Sequence, residues 1–402
     1  MTRWVGHCHS RFRVVPAGSG CYNAGIMTGG DKQSVVTRRR FLALAGAGAA
    51  ACCLRGNVFA AGAPAGELHE ASFYEPLAGG RIRCTLCPRG CVVPEGGRGY
   101  CRVRENRGGK YYSLVYGRPC ALNLDPIEKK PFFHVYPGTK AFSLATVGCN
   151  ICCKFCQNWD ISQASPEDVT PAYKSPEEIA VSARKSGART MAFTYTEPVV
   201  FAEYVRDCAA AGKKEGVESV MVSNGFITGD ALKSMLPVLK AVKIDLKSFS
   251  QEFYADVCGG QLQPVLDTLK RLAGAGVWFE IVVLLVPSMN DGADEIKKMS
   301  GWVVKELGRD VPVHFSRFHP QYKMRNIAQT PLETLQRARR LAMEAGLKFV
   351  YIGNVPGEEG QHTLCPACKS VLIRRYQYSI LENNIAGGLC KSCKAKIPGV
   401  WE

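Results

Sequence analysis

Acidic side chains are scarce in this 402-residue chain: 35 Asp and Glu stand against 51 Lys and Arg, a net charge of +16. The deficit is concentrated at the front, where residues 1–63 carry eight Lys or Arg and one acidic residue, Asp31; the remainder holds 43 basic against 34 acidic residues. Neither part contains a basic helix or a block of interleaved basic and aromatic residues, so nucleic acid is not the expected partner. Long apolar runs are missing as well. None reaches the roughly 20 residues that a membrane-spanning helix needs, which excludes a polytopic membrane protein. With 46% apolar and 21% charged residues, the chain can bury a substantial core. Its length suits one barrel of roughly 200 to 250 residues with small flanking modules.

Cysteine, by contrast, is abundant. Of the 19, most fall into three tight groups: Cys84/Cys87/Cys91/Cys101, Cys149/Cys152/Cys153/Cys156 and Cys365/Cys368/Cys390/Cys393. Disulfide scaffolds spread their cysteines to close loops, whereas cysteines two or three residues apart let neighbouring thiolates converge on one metal centre. Metal binding is the expectation. Cys8, Cys21, Cys52, Cys53, Cys120, Cys208 and Cys258 read as incidental or as small buried hydrophobes.

At the front, Thr37-Arg38-Arg39-Arg40-Phe41-Leu42 leads into the apolar run Phe41–Leu54, and Val58-Phe59-Ala60 offers a small-residue cleavage site. This resembles a twin-arginine export signal, with Met27 as an alternative start, and membrane contact is expected only through this segment. A basic tail beside a fortuitous Ala/Gly run is the other reading.

From Ala141 the sequence alternates apolar strand-like runs with amphipathic helical stretches, the pattern of βα units. Strands are expected at Phe142–Val147, Thr190–Tyr195, Ser219–Ser223, Val242–Leu246, Trp278–Val286, Val313–Phe318 and Phe349–Ile352. Helices are expected at Glu177–Ser186, Val199–Ala211, Asp230–Val238, Ala293–Leu307 and Leu332–Ala345. The expected fold is α/β, a full or partial (β/α) TIM-like barrel over residues 141–358. A leader (1–63) and a cysteine-rich module (64–140) precede it, and a zinc-ribbon-like module (359–402) follows. Barrel chemistry sits on loops after the strands. Those loops hold Gly148-Cys149, Thr196-Glu197-Pro198, Asn224-Gly225, Asp245-Leu246-Lys247, Asn290-Asp291 and His319-Pro320.

Cys149, Cys153 and Cys156 have the spacing Cys-x3-Cys-x2-Cys. Three thiolates can hold three irons of a [4Fe–4S] cluster and leave the fourth open, as a cluster must be if it binds substrate and also passes electrons. The amino and carboxylate groups of S-adenosylmethionine (SAM) can fill that position, ready for one-electron cleavage of the sulfonium. Cys149/Cys152 and Cys153/Cys156 also form two Cys-x2-Cys pairs, so a closed zinc or redox site is the alternative at this point.

The run from Gly148-Cys149 to Cys156-Gln157-Asn158-Trp159 resembles the radical SAM superfamily. Several further motifs narrow the similarity to its pyruvate formate-lyase activating enzyme-like branch called the AmmeMemoRadiSam system radical SAM enzymes. They are Asn123-Leu124-Asp125-Pro126-Ile127-Glu128-Lys129-Lys130-Pro131, Tyr195-Thr196-Glu197-Pro198, Ile244-Asp245-Leu246-Lys247, Ser316-Arg317-Phe318-His319-Pro320 and Tyr351-Ile352-Gly353-Asn354. The resemblance implies a SAM-cleaving oxidoreductase. Glu197 would contact the SAM amino group, with Tyr195-Thr196 replacing the family's glycines; Asn224, Asp245 and Lys247 would lie near its carboxylate and ribose, and His319 near SAM. It also implies a flavodoxin- or ferredoxin-type reductant and companion proteins of that system, or a glycyl-radical-enzyme activase. Both SAM and low-potential electrons are cytoplasmic supplies, in tension with an export signal.

Cys365-x2-Cys368 and Cys390-x2-Cys393 form a closed tetrathiolate signature, read as a zinc ribbon with rubredoxin-like iron as the alternative; Leu372–Leu389 between them is too short for a core of its own, so metal would supply folding energy. Cys84, Cys87, Cys91 and Cys101 lie in a Gly/Pro-rich segment and suggest zinc or an auxiliary iron–sulfur cluster. A rival of another class is a non-enzymatic module in which all three groups bind zinc.

Overall fold

The computed structural model describes residues 68–402, so the twin-arginine-like segment and Met27 lie outside the described residues. Eight strands make the central sheet: β1 (Ala121–Pro126), β2 (Lys140–Ala145), β3 (Thr190–Phe193), β4 (Glu218–Ser223), β5 (Ala241–Asp245), β6 (Trp278–Leu285), β7 (Val313–Arg317) and β8 (Val350–Gly353). Strands β2 to β8 run parallel in chain order, and β1 adds an antiparallel edge beside β2. The edges β1 and β8 are not paired with each other. This is a partial barrel, and all seven expected strands are present.

The crossovers carry α1 (Pro176–Lys185), α2 (Ala202–Lys214), α3 (Gly229–Met235), α4 (Leu262–Ala275), α5 (Ala293–Glu306) and α6 (Leu332–Glu344). Helix α1 starts where it does because Ser175 and Glu178 form a reciprocal capping box and Pro176 occupies the first turn. Two of these strands and helices were not foreseen. Helix α4 presents Val265, Leu266, Leu269 and Leu272 inward but has no side-chain cap to announce it. Strand β1 is mostly exposed, and its short Leu-Asn-Leu-Asp alternation is inverted, with Leu122 and Leu124 outward and Asp125 buried.

Around this sheet the flanking segments share its packing. The main core joins barrel residues such as Phe193, Met221 and Ile281 to Ile82, Val93, Val103 and Tyr111 of the N-terminal cysteine segment. That segment forms two three-stranded antiparallel sheets. It is fixed to α2 by Arg104, whose buried guanidinium pairs with Glu203.

At the other end, Thr363–Leu364, Val371–Tyr376 and Ser379–Asn383 form an antiparallel sheet. Leu372, Ile373, Ile385 and Ile397 pack with Phe133, Phe349 and Tyr351. The segment too short for its own core therefore borrows one from the barrel. Its two cysteine knuckles match: Lys369 and Lys394 both sit at φ 62°. On β6, buried Glu280 accepts the Phe133 and His134 backbone N–H groups and His314 Nε2, the last at 2.7 Å.

Candidate active site

Loops at the C-terminal ends of the strands converge on a cavity of about 370 Å³. Past the end of β2 stands Gly148, at φ +99°, where a Cβ would lie 2.6 Å from Val103 Cγ1 and 2.9 Å from the Cys101 carbonyl oxygen. Only glycine fits this departure point. The loop that follows is pinned by hydrogen bonds from Cys152 N and Lys154 N to the Cys258 and Val257 carbonyls, at 2.8 and 2.9 Å.

That anchoring sorts the cysteines. Cys149, Cys153 and Cys156 line the cavity, whereas Cys152 turns away: a Cβ on Gly259 would meet its sulfur at 2.6 Å. Three sulfurs share the cavity with no fourth cysteine lining it, which fits a cluster with an open iron better than a closed tetrathiolate. Burial raises the Cys149 and Cys156 thiols, and for Cys153 the Cys258 sulfur beside it acts first, then burial. A bound cation is what would hold such buried groups as thiolates. Cys258, read from the sequence as incidental or as a small buried hydrophobe, is buried beside Cys153 and outside the cavity lining.

Opposite the cysteines, Glu197 from the β3 loop is 2% exposed. It accepts Ser223 Oγ at 2.7 Å, Asn224 N at 2.8 Å and Val199 N at 3.1 Å. Burial pushes its carboxyl up to about 7, against these hydrogen bonds. Asn224 reaches to 3.7 Å from Cys149 Sγ and donates to Asn150 Oδ1 at 2.9 Å. At the end of β5, Lys247 Nζ and Asp245 pair at 2.7 Å; burial alone would lower the Lys247 ammonium, but Asp245 beside it holds it high. Both line the cavity. His319 does not. It lines an adjacent cavity of about 380 Å³, which shares Lys129, Ser316, Asn354 and Tyr378 with the first.

Several residues at the cavity were quoted within motifs but given no role from the sequence. Tyr195 holds φ +68°, a left-handed conformation in which glycine is favoured. It is held there by its hydroxyl on Asp125 and by Asn158 Nδ2, which donates to its carbonyl at 2.8 Å. Asp125 also takes Lys129 at 2.8 Å and the buried Lys130 at 2.6 Å, and the Lys130 ammonium sits 4.1 Å above the Tyr195 ring. Tyr378 comes from the C-terminal hairpin and so brings that module to the cavity.

The profile of the Radical SAM superfamily matches residues 143–299. An uncharacterized protein of Methanocaldococcus jannaschii is 46% identical over 332 residues, 82% of this chain and 99% of that one. The chain belongs to the radical SAM superfamily. Pyruvate formate-lyase 1-activating enzyme of Escherichia coli K12 is 24% identical over 220 residues, 51% of this chain and 89% of that one. Benzylsuccinate synthase activating enzyme of Thauera aromatica is 23% identical over 175 residues, 40% and 53% of the two chains. In this radical SAM protein the matched profile spans β2 to α5, from the three cavity cysteines through Lys247, and leaves both flanking cysteine groups outside.

The flanking groups differ in geometry. In the C-terminal quartet the four sulfurs lie within 4.8 Å of one another, with Cys365 and Cys393 at 3.6 Å and Cys368 and Cys390 at 3.9 Å. Tetrahedral zinc with bonds of about 2.3 Å requires such spacing. Cys84, Cys87, Cys91 and Cys101 line a separate small cavity.

Proposed function

We propose that the protein is a radical SAM oxidoreductase of the AmmeMemoRadiSam system type, with SAM in the 370 Å³ cavity and substrate in the one beside it. The carrying observation is that Cys149, Cys153 and Cys156 line the cavity together with Glu197, Asn224, Asp245 and Lys247, while Cys152 turns out of it. Bound there, the cluster and SAM supply one-electron cleavage of a sulfonium C–S bond, giving methionine and a 5′-deoxyadenosyl radical that takes hydrogen from substrate. The chain's own residues bind and orient. Glu197 would accept the SAM ammonium, which favours its ionised form. The Asp245–Lys247 pair offers both signs of charge to the carboxylate and ribose, and Asn224 stands between Cys149 and Glu197. Tyr378 and Asn354 border both cavities and would part SAM from substrate, with His319 on the substrate side.

A second reading, activation of a glycyl-radical enzyme, is favoured by the similarity to two activating enzymes. Either reading requires a flavodoxin- or ferredoxin-type reductant, and the first adds companion proteins of the same system. Zinc in the C-terminal quartet would lock the hairpin that carries Tyr378. The leader would export or anchor the chain, which the cytoplasmic supply of SAM and electrons opposes. The test is anaerobic reconstitution followed by dithionite and SAM. A brown protein releasing methionine and 5′-deoxyadenosine is expected; a colourless protein containing only zinc would establish the non-enzymatic rival. Glycyl-radical installation in an added partner enzyme separates the two enzymatic readings.

A further inference from the structure

The N-terminal quartet differs from the C-terminal one. Both contain a Cys-x2-Cys pair, yet among the described residues only the C-terminal group brings three or more sulfurs within 4.8 Å of one another. Cys84, Cys87, Cys91 and Cys101 instead surround a cavity, as Cys149, Cys153 and Cys156 do, and neither group is drawn together as the zinc-like knuckles are. A single zinc pulls its sulfurs into mutual contact, whereas an iron–sulfur core stands between them.

The lining of that cavity is suited to an anionic sulfur-rich occupant. The Tyr111 side chain is fully buried and its hydroxyl has no hydrogen-bond partner, although it borders the cavity. Gly99 leaves room for it, since a Cβ there would lie 2.6 Å from that hydroxyl and 3.8 Å from Cys101 Sγ. The backbone N–H groups of Leu86, Arg89 and Val103 face the sulfurs of Cys84, Cys87 and Cys101. Donors of this kind tune an iron–sulfur centre.

The quartet also abuts the central cysteines. Asn150 borders the quartet cavity, and its neighbour Cys149 borders the SAM cavity. Gly148 packs on the Cys101 carbonyl. Arg89 donates to the Asn150 and Gly259 carbonyls and ties the two cysteine loops together. We infer that Cys84, Cys87, Cys91 and Cys101 hold a second iron–sulfur cluster that relays electrons to the cluster of Cys149, Cys153 and Cys156. One electron leaves a reduced flavin or iron–sulfur protein, reduces the N-terminal cluster, and passes on to the central cluster as the first is reoxidised; no atom is transferred. The destination of the electron rests on the radical SAM reading, but the identity of the metal does not.

The full chain, reconstituted anaerobically with iron and sulfide, is compared with two variants for iron, sulfide, zinc and dithionite-reduced electron paramagnetic resonance. The triple variant Cys149→Ala/Cys153→Ala/Cys156→Ala should keep iron, sulfide and a reducible signal. If it is iron-free and gains zinc instead, the inference is wrong even if the wild type cleaves SAM. The double variant Cys87→Ser/Cys91→Ser should keep the central iron and cleave SAM with dithionite, yet lose roughly tenfold or more of the rate supported by a reduced flavodoxin. An unchanged flavodoxin-supported rate overturns the relay, whereas an iron-free double variant would sink the central cluster instead. Should the double variant not fold, Tyr111→Phe serves: iron is retained and the second signal shifts in potential, and an identical potential counts against the cluster.

Discussion

Replacing Glu203 with alanine should loosen the N-terminal cysteine segment from the barrel. Arg104 is 0% exposed and donates to the Val200 carbonyl at 3.0 Å, to the Ser72 carbonyl at 3.1 Å and to Glu203, while Glu203 accepts Ser72 N at 2.7 Å. Glu203→Ala leaves a buried guanidinium without its counter-charge and Ser72 N–H without its acceptor. Breaking a buried pair on one side costs about 3–5 kcal/mol, and the orphaned N–H adds about 1–3 where water cannot reach it. Taking the lower half of that range, since the two losses overlap, gives about 5 kcal/mol. At roughly 2–4 °C per kcal/mol the melting point should fall by about 10 °C or more. Glu203→Gln, which keeps an acceptor but not the charge, should fall between. The apolar pair Arg104→Met/Glu203→Leu should recover much of the loss, because it removes both charges. Differential scanning fluorimetry of the anaerobic holoprotein reads all three. If Glu203→Ala melts within about 2 °C of the wild type, the segment is not held by this pair and the reasoning fails.

The cavity geometry predicts that Cys152→Ala and Cys258→Ala keep central iron and SAM cleavage, while Ala at Cys149, Cys153 or Cys156 abolishes both; iron loss in Cys258→Ala would make that sulfur a ligand. Asp125→Asn leaves Lys130, 3% exposed, without a full counter-charge, and should cost about 3 kcal/mol and raise the KM for SAM by releasing Tyr195. Melting curves and SAM titration check it, and a normal KM would remove Tyr195 from the site. Burial, then Lys243, pushes His314 down to about 3, so the unfolded chain binds a proton below its ordinary value near 6.5 that the folded chain refuses. Stability from this group is therefore full above that pH and is lost as pH falls towards 3, at about 1.4 kcal/mol per pH unit. His314→Gln should flatten the acid limb of a melting-point profile between roughly pH 6.5 and 4.5; an unaltered slope there would exclude His314 as its source.

Sequence legibility followed how locally each feature is specified. The seven parallel strands were readable because each is a short apolar run bounded by polar or glycine residues, and a buried parallel strand has no other signature. The three cysteine groups were readable because ligand spacing is a local property. Strand β1 was not, since its short alternation turns Leu122 and Leu124 outward and buries Asp125, and α4 lacked an opening cap. The same limit applied to the site. Glu197, Asn224, Asp245 and Lys247 lie on loops predicted from strand ends, but Asp125, Lys130 and Tyr195 meet only through pairing of β1 with β2 and β2 with β3. Tyr195 did leave a trace, because it stands where the motif implied by the family resemblance has glycine, and a non-glycine residue at a positive φ needs something to stabilise it.

The flanking modules matter for chemistry because the barrel is open. A closed barrel could wall its own mouth, but here β1 and β8 are unpaired edges of the sheet, and residues from outside it complete the lining. Lys129 and Lys130 arrive from the β1–β2 connection, and Gln377 and Tyr378 from the C-terminal hairpin. The two arms are linked through Phe133: Glu280 on β6 holds the Phe133 and His134 backbone, and Arg375 of the hairpin donates to the Phe133 carbonyl at 2.8 Å while lying 4.1 Å over its ring. Metal in the C-terminal quartet would thus act on the reaction at a distance, by fixing the strand that carries Arg375 and the turn that carries Tyr378 beyond it. Cys368→Ser should accordingly change selectivity for substrate more than SAM cleavage in its absence, because the cysteines that would hold the cluster stand on the loop after β2 and on neither arm.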